Sequence, residues 1–178
     1  MEEIGNGHKA PAIALKKTIE GLYPGKFDIE VIDLMQHLNS KMLFSVYRSL
    51  WVDFALKFPK IFILFYHLGD NNFTSVMEKL LVFNLANKAK KYIKDEKPSL
   101  IVGTHFTCNH IMSIIRKNSD IPVVGINTDA YDAHYLWAVR GLDDYVVFSN
   151  IAKKAFKDKG VSGKITVFNN KYPLDPKH

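Results

Sequence analysis

Four short runs of apolar and β-branched residues, 99–103, 121–127, 144–148 and 164–168, recur through the second half of the chain, each bounded by Pro, Gly, Asn or Asp. Runs of this length suit strands buried on both faces. The stretches between them, near 109–117 and 150–159, carry helical spacing. Strands alternating with helices specify a parallel sheet with crossover helices, because parallel neighbours cannot be joined by a tight turn. Upstream, Ala12, Leu15, Ile19 and Leu22 repeat at helical spacing behind Pro11, which predicts a helix over about 10–22. Residues 27–34 read as a further strand, and 75–94 as one long helix whose apolar face fades into a basic end. With 178 residues, 47% of them hydrophobic, the chain is long enough to bury one core of ordinary size.

Both ends depart from a complete domain of this kind. A glycine-rich turn that opens a helix normally follows a strand, and only four residues precede Gly5, so the sheet is expected to lack its first strand. The tail 173–178, with Pro173 and Pro176, reads as the start of an interdomain linker, which sets the expected domain at 1–172.

Charge narrows the partners. The chain carries 24 Lys plus Arg against 18 Asp plus Glu, a net +6, which favours anionic partners. Nucleic acid is not among those expected, since no basic helix or aromatic platform of a known kind is present. A single cysteine, Cys108, excludes an intrachain disulfide, and no Cys/His spacing suggests a metal site. The amino terminus has no basic region followed by an apolar one, so a cytoplasmic setting is expected.

Residues 41–68 are dense in Phe, Tyr, Trp and Leu but are interrupted by Arg48, Asp53, Lys57 and Lys60. A membrane span needs about 20 mostly apolar residues, whereas the longest charge-free stretch here is 61–69. Lying in the membrane interface is compatible with this pattern: Tyr47, Trp51 and Tyr66 are headgroup-level residue types, and Lys41, Arg48, Lys57 and Lys60 suit lipid phosphates. A pair of core helices would have the same composition.

Candidate chemistry clusters at strand ends. Gly5-Asn6-Gly7-His8 ahead of the first helix offers backbone amides and a positive helix end to an anion, while the His8 imidazole equally suits a general base. A turn histidine with a capping role fits the same position. His105 and Asp129 follow predicted strands closely, and polar residues at the carboxyl ends of parallel strands converge on one edge. Each also suits a loop residue that caps the next segment. His134 and Trp137 follow Asp129, and an exposed His beside a core Trp would look the same. His67 and His110 read as structural.

Taken in order, Gly5-Asn6-Gly7-His8-Lys9-Ala10, Thr104-His105-Phe106, Asn127-Thr128-Asp129 with His134 and Trp137, and Asp143-Asp144-Tyr145 through Val161 resemble the N-terminal domain of monogalactosyldiacylglycerol synthases and bacterial processive diacylglycerol glucosyltransferases. Asn6 stands where the plant-type turn usually carries glycine. The resemblance implies an α/β, Rossmann-like parallel sheet with helices on both faces, equivalent to the N-terminal half of a two-domain glycosyltransferase. It implies that His8 is catalytic, deprotonating the acceptor hydroxyl or meeting an anionic lipid. Gly5, Asn6, Gly7, His105, Asp129, His134 and Trp137 would bind the acceptor, with an orienting role for Asp129. Tyr47, Arg48, Trp51, Lys57 and Lys60 would contact the membrane. On this reading the chain takes diacylglycerol at the cytoplasmic, inner face of the cell membrane and binds no cofactor. The UDP-sugar would bind a C-terminal domain on a separate donor-binding polypeptide, and the isolated chain would be inactive. The alternative is a non-catalytic peripheral membrane-binding module or a decayed fragment.

Overall fold

The computed structural model describes residues 6–40, 45, 48–129 and 133–168. The four apolar runs form one all-parallel sheet, β1 (Ile101–Gly103), β2 (Val123–Ile126), β3 (Asp144–Val147) and β4 (Lys164–Val167), paired in chain order. Around it lie α1 (Asn6–Leu22), α2 (Leu34–His37), a π-helical turn (Arg48–Asp53) leading into α3 (Phe54–Lys57), α4 (Pro59–Leu68), α5 (Asn72–Leu81), α6 (Phe83–Glu96), α7 (Phe106–Arg116) and α8 (Asn150–Asp158). This is the expected α/β, Rossmann-like arrangement. Helix α7 makes the crossover from β1 to β2 and packs on both strands. Helix α8 does the same for β3 and β4, and α6 lies against α7. The crossover from β2 to β3 contains no helix among the described residues.

Side-chain caps set several boundaries. Helix α7 starts three residues ahead of its expected position because His105 accepts the Thr107 amide at its Nδ1 (3.1 Å). Ser149 caps α8 through the Ala152 amide, and Asn71 caps α5 through that of Thr74. At the far end of α7, Arg116 makes a two-point bond to Asp143 (both contacts 2.8 Å), and Asp143 also accepts the Val123 amide. The helix end is thereby tied to the start of β2 and β3. The guanidinium beside it holds the Asp143 carboxyl below its ordinary range.

Three sequence expectations are corrected. Residues 27–34 form no strand: Ile29 and Val31 are half-buried between exposed neighbours, so the period-two pattern is real, but no ladder partner is present among the described residues. The segment is fastened instead by Lys16 donating to the Ile29 carbonyl (2.6 Å) and Tyr92 donating to Glu30 (3.3 Å). The single helix expected over 75–94 is two, α5 and α6, divided at the fully buried Val82. The buried positions Ser75, Glu78, Val82, Ala86, Ala89 and Ile93 keep helical spacing across that break, which is why the pattern reads as continuous. Helix α1 begins at Asn6 rather than near Ala10, with Pro11 inside it.

Gly103 and Gly125 are cross-strand partners on β1 and β2, and together they leave a notch filled by the buried side chain of Asn109 from α7. A Cβ on Gly103 would lie 1.9 Å from Asn109 Oδ1. Gly103→Ala is therefore expected to lower the unfolding free energy by about 1–3 kcal/mol. Gly21→Ala, in α1 with nothing near its added methyl, should be neutral or raise it by about 0.5–1 kcal/mol. Urea titrations of the two variants check this, and equal effects would contradict the notch.

Candidate functional site

The carboxyl ends of β1 and β2 hold the amino end of α1 in place. After β2, Asn127 accepts the Asp129 amide at its side-chain oxygen (2.9 Å), forming a tight local turn. That turn brings Thr128 Oγ1 within 2.9 Å of His8 Nδ1. After β1, Thr104 donates its hydroxyl to the His8 carbonyl (2.9 Å). The His8 ring meets His105 edge to face at 4.5 Å between centroids and lies 5.6 Å from Trp137. His105 stacks on Phe106, and Phe106 meets Trp137 at a steep angle.

The crossover from β2 to β3 supplies the opposite wall. Leu136 donates its amide to His134 Nδ1 (3.1 Å), so the ring proton sits on Nε2, which donates to the Tyr66 carbonyl of α4 (3.0 Å). Both nitrogens of His134 are thus committed to structure. His110, fully buried beneath, donates from Nε2 to the Leu136 carbonyl (3.0 Å). Asp70 accepts the Tyr135 amide (2.7 Å) and is clasped by Lys159 at 2.7 and 2.8 Å, while the same ammonium reaches the Ala133 carbonyl. The Tyr145 hydroxyl donates to the Val139 carbonyl (2.6 Å).

Between these walls is a cavity of about 220 Å³ lined by His8, Asp129, His134, Phe62, Tyr66, Phe106, Leu136 and Trp137. Burial lowers the pKa of His8, outweighing the opposing pull of the Asp129 carboxylate. Burial, with His8 next to it, pushes His105 down to about 3. Both rings are therefore neutral near pH 7. His105 uses Nδ1 as a helix cap, and His134 has no free nitrogen. His8 lines the cavity with Asp129, whose carboxylate favours the protonated form of the imidazole.

The structure brings together five of the residues singled out from sequence: His8, His105, Asp129, His134 and Trp137. Trp137 is at once core and cavity wall, and His134 is buried rather than exposed, at 4% and 3% accessibility. Asn6 and Gly7 open α1, described here by backbone alone. Gly5, Tyr47 and the side chain of Trp51 lie outside what is described, as does the tail 173–178. Arg48, Lys57 and Lys60 are exposed and stand apart from the cavity lining. Thr104, Phe106 and Thr128 were named only as motif neighbours and Tyr66 only as a headgroup-level residue, and Phe62 was not singled out. The i, i+4 spacing of Phe62 and Tyr66 was the available signal, since it puts both on one side of α4.

Helix α4 has apolar residues facing two ways. Phe62 and Tyr66 are half-buried against the cavity, while Ile61, Ile63, Leu64, Phe65 and Leu68 are exposed. No helix among the described residues is long and apolar enough to cross a membrane.

A family model described as monogalactosyldiacylglycerol (MGDG) synthase matches residues 8–168. No curated protein and no solved structure matches the chain.

The buried histidines make stability pH-dependent. Burial pushes His110 from 6.5 to about 3, so the unfolded chain binds a proton that the folded one excludes. Stability is then full above about pH 6.5 and falls as pH drops toward 3, at about 1.4 kcal/mol per pH unit for such a group. Urea unfolding at pH 7, 6 and 5 should show this decline well above the range where Asp70 and Asp143 titrate. Constant stability across that interval would contradict a neutral, buried His110.

Proposed function

The chain belongs to the monogalactosyldiacylglycerol synthase family, a family of glycolipid glycosyltransferases, and from that premise we propose that it is the acceptor-binding half of an enzyme moving a hexose from a UDP-sugar to diacylglycerol. The observation that carries the reading is His8: a neutral imidazole held through Nδ1 by Thr128, in the wall of a largely apolar cavity whose other side is the exposed apolar helix α4. Diacylglycerol has a matching shape, one primary hydroxyl at the end of two acyl chains. The hydroxyl enters beside His8 while the chains stay against Phe62, Tyr66 and the bilayer.

In the reaction the acceptor O–H bond breaks and its proton passes to His8 Nε2. The oxygen forms a bond to the sugar anomeric carbon, and the bond from that carbon to the diphosphate breaks, the nucleoside diphosphate leaving with the electron pair. In the tautomer this reaction requires, Nδ1–H donates to Thr128 before and after the transfer, so the imidazole takes up the proton without reorienting. Asp129 orients the ring and offsets its new charge. His105 and Trp137 pack against the ring and exclude water from its faces. The UDP-sugar is expected in a C-terminal domain or on a separate donor-binding polypeptide, and on this reading the chain itself needs no cofactor. Arg48, Lys57 and Lys60 would meet anionic phosphates at the inner face of the cell membrane. The exposed face of α4 also suits a peripheral membrane module without catalysis.

His8→Ala separates these readings. With a donor-binding domain of the family, UDP-glucose or UDP-galactose and diacylglycerol vesicles supplied, glycolipid formation should fall by about 10² or more, as when a positioned general base is removed. Thermal unfolding of the same preparation gives the folded fraction. Unchanged turnover per folded molecule would remove His8 from the mechanism.

A further inference from the structure

Helix α5 is inside out. It buries Ser75 and Glu78, at 9% and 5% accessibility, while Phe73, Val76, Met77, Leu80 and Leu81 are exposed, Phe73 and Leu80 at 70% and 65%. A surface helix in water does the opposite, turning its apolar stripe to the core and its polar side chains outward. The inversion is built in on the inner side: α5 packs on α7, where burial raises the pKa of the Cys108 thiol and Asp33 and Glu78 add to it. Rotating the helix to hide Phe73 and Leu80 would break that packing and bring Ser75 and Glu78 to the surface.

Charge identifies what covers this face. Between residues 54 and 94 there are seven lysines and only two acids. One acid, Asp70, is clasped by Lys159, and the other, Glu78, is buried. Lys57, Lys60, Lys88, Lys90, Lys91 and Lys94 are exposed, so lysines outnumber acids on this stretch even with exposed Asp53 before it and Asp95 and Glu96 after it. A second copy of the chain would bring like charges together on both sides of such a contact. An anionic lipid surface answers both features, accepting the apolar side chains among its acyl chains and the lysines among its phosphates. The exposed face of α4 joins α5 through the short turn 69–71, so the two faces are consecutive in the chain.

We propose that α5 is a second membrane-seating element, with Phe73, Val76, Met77, Leu80 and Leu81 entering an anionic bilayer alongside α4. This rests on the reading of α4 as a membrane-contacting helix. It makes the seat a two-helix surface and places the α4 wall of the cavity at its edge, where a lipid acceptor has a short path inward.

Environment-sensitive nitrobenzoxadiazole labels test it site by site. Single cysteines are introduced by Phe73→Cys, Leu80→Cys, Leu64→Cys on α4 and Asn87→Cys on α6, each in a Cys108→Ala background of the full chain. On adding vesicles of phosphatidylglycerol and phosphatidylcholine, labels at 73, 80 and 64 should brighten several-fold and shift to the blue, with little change at 87. A response at 64 without one at 73 and 80 would overturn the role of α5 while leaving α4 seated. No response at any position would overturn the membrane reading itself. Brightening at 73 and 80 that follows protein concentration without vesicles would assign the face to a second copy and overturn the proposal. Because these side chains are exposed, Phe73→Ser combined with Leu80→Ser should leave the fold intact and weaken vesicle binding by about tenfold or more. Unchanged vesicle binding would also overturn it.

Discussion

The site depends on one imidazole that both accepts and donates. His134 takes the Leu136 amide on one nitrogen and gives its proton to the Tyr66 carbonyl from the other. The crossover from β2 to β3 has no helix of its own among the described residues, and a buried segment without regular structure must find partners for its backbone elsewhere. His134, His110, Asp70, Lys159 and Tyr145 supply them. A backbone that would ordinarily lie on the surface is thereby held inside, with Ala133, Leu136, Trp137, Ala138 and Val139 almost fully covered. Because His134 bonds α4 as well, the same contact fixes the distance between the apolar helix and the carboxyl edge of the sheet. The cavity is the space left between them.

That arrangement assigns each of the four histidines near the cavity one task. His105 caps α7, His110 supports the crossover from below, and His134 ties the crossover to α4. His105 and His134 accept a backbone amide at Nδ1, His110 is buried, and burial keeps all three rings neutral. His8 differs in that its ring, held at Nδ1 by Thr128, lines the cavity beside Asp129. The chemistry follows from hydrogen-bond inventory more than from residue type, since four similar side chains take different roles according to which nitrogen is already engaged.

The parallel sheet was legible in the sequence because buried strands are short, apolar and punctuated by turn residues, and β1 to β4 lie within the four runs that carry that pattern. His105 and Asp129 were legible for a related reason: topology alone sends residues that follow parallel strands to one edge, whereas His8 was legible from the glycine turn ahead of the first helix. What escaped were features set by a partner distant in the chain. The alternation of Ile29 and Val31 describes a strand, yet pairing needs a neighbour that the local sequence does not encode. The break at Val82 leaves the helical period unchanged and so leaves no mark on it. Thr128 reads as an ordinary turn residue until His8, 120 positions away, is placed against it. The outward face of α5 was seen as an apolar stripe, and only the burial of Ser75 and Glu78 shows that the stripe points away from the core.

The central claim is that the cavity beside His8 receives the hydroxyl end of a lipid whose chains lie against α4. Photolabelling measures this directly, with a diacylglycerol carrying a diazirine near its glycerol backbone, presented in phosphatidylglycerol vesicles, and peptide mapping of the adducts. The account predicts adducts on cavity-lining residues, Phe62, Tyr66 and Trp137, that are suppressed by excess unlabelled diacylglycerol. Labelling confined to the outer positions Ile63, Leu64 and Phe65, with no competition, would contradict it and reduce the chain to a membrane-binding surface.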